Sequence, residues 1–114
     1  MPDELEKALS DVQALDQQLQ AVLIQKQALT VQLRELELAL EEVAKASGDV
    51  YRSIGPVLVK SEKEKLTKEL TETKEQIELR LKALEKQEKA TKAGIASAQS
   101  KLQQLVKPSQ GAGG

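Results

Sequence analysis

The chain has 114 residues, 39% hydrophobic and 31% charged, and its 17 basic and 18 acidic side chains leave a net charge of −1. It contains no Cys, His, Phe or Trp and one Tyr, which excludes thiol nucleophiles, disulfides, Cys/His zinc sites and imidazole acid–base catalysis. At this length one domain at most is expected, and a chain nearly without aromatic rings matches long helices and coiled coils better than a packed globule.

The first predicted element is a helix over residues 3–46, which hold no Pro or Gly. Its a positions are Leu5, Val12, Leu19, Lys26, Leu33 and Leu40, and its d positions are Ala8, Leu15, Val22, Leu29, Leu36 and Val43. Only Lys26 breaks the apolar seam, and a 3.5-residue repeat held over six heptads predicts a left-handed supercoil. Ile24, Val31 and Leu38 fall at consecutive f positions with Leu23 beside them. They read either as scattered surface aliphatics, which are common, or as a lateral strip facing a neighbouring subunit or a cavity between subunits.

Residues 47–60 concentrate Gly48, Gly55, Pro56 and most of the β-branched side chains. The β-rich runs 49–54 and 57–60 flank Gly55-Pro56, so the spacing predicts a β-hairpin over 49–60. A lone two-stranded hairpin is marginal in water. One carried by a coiled coil is therefore expected to need strands from other chains, which makes the connector a candidate oligomerisation element. Its residues are Val50, Tyr51, Ile54, Gly55, Pro56, Val57, Leu58 and Val59. Tyr51 is expected to pack within the platform so formed, with Arg52 and Lys60 as strand-edge charges able to pair between subunits.

The second helix is predicted over 61–107, opened by a capping box in which Ser61 caps and Glu64 bonds back to its amide. Its seam reads Leu66, Leu70, Thr73, Ile77, Leu81, Leu84, Glu88, Thr91, Ile95, Ala98, Leu102 and Leu105, with a stutter at 73–77–81 that relaxes the supercoil locally. Gly94 interrupts it at a cost of about 1 kcal/mol relative to Ala. The tail 108–114 is expected to be disordered, having nothing to bury.

The two seams match when antiparallel, residue 43 beside 66 and 5 beside 105, so the fold class is mainly α: a long antiparallel two-helix coiled coil with one β-hairpin at the connection. Each helix would run about 65–70 Å at 1.5 Å per residue. Residues 1–48 carry nine acidic against four basic side chains, a net −5, and residues 49–114 carry thirteen basic against nine acidic, a net +4. The register sets Lys26 between Leu84 and Glu88 and predicts a Lys26–Glu88 pair.

The stretch 50–60, Val-Tyr-Arg-Ser-Ile-Gly-Pro-Val-Leu-Val-Lys, between two equal heptad helices resembles the prefoldin β-type (class II) subunit family. The likeness runs over essentially the whole chain, and residues 77–89 look archaeal. The 14-residue connector has room for one hairpin, where α-type subunits have two. The resemblance implies an ATP-independent chaperone (holdase) subunit, assembled through its hairpins into a hexamer of two α-type and four β-type subunits. It further implies that unfolded proteins are held at the distal coiled-coil tips and passed to a group II chaperonin.

Both chain ends would fall at the end of the coiled coil away from the hairpin. The candidate client-binding residues there are Leu5, Ala8, Leu9, Val12, Ile95, Ala98, Leu102, Leu105 and Val106. Fraying would open these layers, aided by Gly94 and the small residues Ala96-Ser97-Ala98, and bare a contiguous apolar surface of the kind that marks binding sites. The bland alternative is an ordinary seam.

No run approaches the roughly 18 apolar residues of a membrane span, and residues 1–4 are acidic with no signal-peptide core. A cytoplasmic protein without cofactor, metal or enzymatic activity is expected. The lysines at 63, 65, 68, 74, 82, 86, 89 and 92 alternate with Glu as on a solvated helix face. Nucleic-acid binding wants unneutralised charge, so an RNA-binding helical arm ranks last, behind a structural coiled-coil oligomerisation scaffold without client binding.

Overall fold

The computed structural model describes residues 2–106. The expected tail 108–114 and the last expected helical residue, Lys107, lie outside them. Four elements follow in chain order: helix α1 (Pro2–Lys45), strands β1 (Val50–Ile54) and β2 (Val57–Ser61), and helix α2 (Lys63–Val106). They are two long helices with a two-stranded antiparallel hairpin between them, as the periodicity and the Gly-Pro turn predict. Asp3 and Glu4 in the first turn of α1 and Lys45 in its last complement the helix dipole.

The described chain divides into two compact units. The hairpin unit covers residues 27–82. Its core is a cluster of Val43, Val50 and Leu66, with Ala46 and Leu70 packed against it. Val43 beside Leu66 is the expected antiparallel layer. Val50 extends it by setting the root of β1 on both helices, the only strand residue that is buried.

The hairpin register pairs Val50 with Ser61, Tyr51 with Lys60, Arg52 with Val59, Ser53 with Leu58 and Ile54 with Val57. Gly55 has φ +57, and the Pro56 ring fixes a negative φ, the sign pair of a type II′ turn, which matches strand twist. Because Ser61 is held in the ladder, α2 starts later than expected. The Leu66 amide donates to the Glu62 carbonyl at 2.9 Å, so Glu62 is the cap residue and the Ser61–Glu64 capping box is not the one used. The other end of the connector is closed by Lys63, whose Nζ donates to the carbonyls of Ala44 (3.1 Å) and Ala46 (3.0 Å). Those carbonyls stand where α1 runs out of its own donors.

Thr73, expected in the seam, is exposed, and Lys74 is half-buried instead. Two successive four-residue steps overshoot the 3.6-residue turn and rotate the apolar face there. Thr73 bonds its own helix, Oγ1 to the Glu69 carbonyl at 3.0 Å. A shallow groove of about 360 Å³ remains between Leu36, Ala39, Thr73 and Ile77.

The terminal unit covers residues 2–26 and 83–106. Ala8, Val22 and Leu84 are its buried apolar residues, with Thr91 the buried polar one. Gly94 does not interrupt α2, which runs through it. A Cβ built there would lie 3.4 Å from Leu15 Cδ1, an ordinary van der Waals contact.

Candidate functional site

The hairpin presents its apolar side chains outward. Opposite residues of an antiparallel pair share a face, so Ile54, Val57 and Val59 lie with Arg52 on one face and Tyr51 and Leu58 with Ser53 and Lys60 on the other. All five apolar residues are exposed, Leu58 to 70% and Tyr51 to 54%. Tyr51 is therefore more than half exposed in the single chain. Among the described residues both edges of the two-stranded sheet are open as well, and an open edge offers unpaired backbone donors and acceptors.

Charges tie this hairpin to its own chain. Arg52 donates to Glu69 on α2 at 2.9 Å, and Lys60 stands 3.5 Å from Asp49 across the root of the hairpin. Arg52 and Lys60, the strand-edge charges of the hairpin, thus each have a partner within the chain. Both pairs are solvated and worth little in stability; what they add is direction, since Arg52–Glu69 links β1 to the helix beneath it.

In the terminal unit the candidate tip residues fall in two groups. Ala8 is buried and Val12, Ile95, Ala98, Leu102 and Leu105 are half-buried, whereas Leu5, Leu9 and Val106 are exposed. An open groove of about 440 Å³ runs beside Leu15, Gly94 and Ala98, with Asp11 and Lys101 on its rim.

Lys26 meets Glu88 as the register predicts, Nζ to Oε1 at 2.7 Å, and Lys92 reaches the other carboxylate oxygen at 2.9 Å. The Lys26 bond, then the Lys92 bond, pull the Glu88 carboxyl down from its ordinary 4.5 to about 2, against an opposing effect of burial. The Lys26 ammonium is raised above 10.5, first by the Glu88 bond, with burial opposing and the charges of Glu88 and Glu85 adding to it. Lys92 lies on the solvated face as expected and reaches Glu88 through the i,i+4 spacing that brings helical side chains together. On the outer side of α1, Ile24, Leu23, Val31 and Leu38 are exposed, as is Leu79 of α2.

Among the described residues no group of three or more His, Cys, Asp or Glu is placed to hold a metal ion, and no helix is long and apolar enough to cross a membrane. The distinctive chemistry is apolar surface on a hairpin between heptad helices.

The prefoldin subunit family profile matches residues 6–109. The chain belongs to the prefoldin family. It is similar to the prefoldin subunit beta of Archaeoglobus fulgidus, 42% identical over 113 residues and 97% of each chain. It is also similar to the prefoldin subunit beta of Thermococcus gammatolerans, 41% identical over 58 residues that cover 51% of this chain and 50% of that one. The crystal structure of the prefoldin beta subunit from Thermococcus strain KS-1 superposes with a TM-score of 0.85 at 34% identity, over 95% of this chain and 96% of that one. The resemblance drawn from residues 50–60 is thus met in both sequence and fold, and it is to beta-type prefoldin. The single hairpin between equal helices is what this chain shares with that beta-type fold.

Proposed function

We propose that the chain is a subunit of an ATP-independent, cytoplasmic holdase, which joins an α-type prefoldin subunit and further β-type copies through its hairpin. The assembly is a hexamer of two α-type and four β-type subunits. The observation that carries this reading is the hairpin surface: Tyr51, Ile54, Val57, Leu58 and Val59 are exposed in the single chain on a two-stranded sheet that is marginal by itself. Strands from neighbouring subunits would cover the apolar faces and pair the open edges, which is β-strand addition.

Unfolded proteins are held by the layers nearest the chain ends, Leu5, Ala8, Leu9, Val12, Ile95, Ala98, Leu102, Leu105 and Val106, and are then passed to a group II chaperonin. Exposure of Leu5, Leu9 and Val106 supports this, together with half-buried neighbours that a small opening would bare. Loose apolar contact suits clients that share no fixed shape. No catalytic residue is needed.

Native mass spectrometry of the chain with and without an α-type subunit tests the assembly, and a lone monomer in both would overturn it. Client capture is read separately, as suppression of aggregation of an unfolding protein without ATP. Removing residues 1–9 and 102–114 should abolish suppression and leave the oligomer intact. Full suppression by that truncated chain would remove the tip assignment.

A further inference from the structure

In the terminal unit the α1 seam is apolar up to Val22 and then meets a charge, Lys26. Glu88 lies against it with only 14% of its side chain exposed, bonded to Lys26 at 2.7 Å and to Lys92 at 2.9 Å. The layers of α2 that follow are thin. Thr91, 4% exposed, bonds its own helix through Oγ1 to the Gln87 carbonyl at 2.7 Å. Gly94 has no side chain, and Ala98 borders the open groove beside Leu15. From 88 to 98 only Ile95 offers α1 a bulky aliphatic side chain.

These layers differ in what it costs to part them. Separating leucine layers returns apolar area to water at about 25 cal/mol per Å². Separating a carboxylate from two ammonium groups returns charges to a solvent that hydrates them well, so such a layer adds little over an apolar one and often less. We propose that the Lys26–Glu88–Lys92 layer is a break line: residues 3–26 and 84–106 part and close together as one cooperative segment that ends at this layer, rather than fraying residue by residue from the chain ends. Local opening in contiguous cooperative pieces is general behaviour for proteins. What is particular here is the position of the limit, set by three charged side chains, with Lys26 14 residues in from Val12 on α1 and Glu88 seven residues in from Ile95 on α2. If the tip layers hold clients as proposed above, the break line also sets how much apolar surface an opening bares; only this consequence rests on that reading.

Hydrogen–deuterium exchange of the full-length chain, read by mass spectrometry, tests the limit. Amides of 8–26 and 88–102 should share one protection level, with a step of about tenfold or more on passing residue 27 or residue 83. The double variant K26L/E88L replaces the charged layer with an apolar one and keeps the seam continuous, so it should fold and exchange more slowly. The expected result is slowing of the whole terminal unit by about tenfold and loss of the step. A smooth decline of protection toward both chain ends in the parent chain, or unchanged exchange in K26L/E88L, overturns the break line. Aggregation suppression measured on the same samples judges the client reading alone: a parent chain that suppresses nothing defeats that reading and leaves the exchange result standing.

Discussion

Glu88 accepts from two ammonium groups in a seam otherwise built of aliphatic side chains, and this sets the direction of its pH dependence. Its folded carboxyl titrates at about 2 instead of 4.5, so its contribution to stability is complete above 4.5 and is lost as the pH falls from 4.5 toward 2. Lys26 runs the other way: raised above 10.5, it contributes fully below that value and fades only in strong alkali. Glu88→Gln should therefore flatten the acid limb, its difference from the parent chain in thermal midpoint shrinking as the pH drops through that window. An unchanged difference at every pH, followed by circular dichroism, would show that the pair is not coupled to folding. At the same scale, Lys63 holds two carbonyls at the end of α1 through an exposed ammonium. Lys63→Met removes the donor and keeps the aliphatic stem, and should cost about 0.5–1 kcal/mol, seen as a midpoint lowered by a few degrees.

The elements differ in what ends and shapes them. Helix α1 stops where Lys63 takes over its carbonyls, and α2 begins where the ladder lets go after Ser61. Inside α2, Gly94 lowers helix propensity without being required by its neighbour Leu15. A methyl group there would meet Leu15 at 3.4 and 3.6 Å, ordinary contact rather than a clash, beside a groove with space to spare. Gly94→Ala should therefore stabilise the helix by up to about 1 kcal/mol, raise the thermal midpoint and slow exchange around residues 91–98. A lowered midpoint would mean that Leu15 cannot give way. The hairpin is the opposite case. Its turn is well made, with Gly55 supplying the positive φ and the Ser53 hydroxyl donating to the Gly55 carbonyl at 3.2 Å, yet beyond Val50 its apolar side chains stay exposed.

For the molecule as a whole, that imbalance argues for assembly. The helices bury their seams against each other, whereas the hairpin leaves five apolar side chains in water. Leu58→Asp puts a charge on the most exposed of them and touches no helix contact. Helicity and midpoint of the separate chain should stay within about 0.5 kcal/mol of the parent, while the oligomer seen by native mass spectrometry dissociates. An intact oligomer would mean that this face of the hairpin is not the interface.

The sequence alone determined the two helices, their antiparallel register, the Lys26–Glu88 contact, the Gly55-Pro56 turn and the family. Each of these is carried by residue type at a fixed spacing: a seam repeats every seven residues, and one lysine in it demands one carboxylate opposite. The tertiary structure alone decided that Glu62 and not Ser61 caps α2, that Thr73 leaves the seam, that Lys63 closes α1, and that Arg52 finds Glu69 and Lys60 finds Asp49 within the chain. These turn on where a ladder releases the backbone to within one residue and on which acceptor a long flexible side chain can reach, and periodicity carries neither quantity.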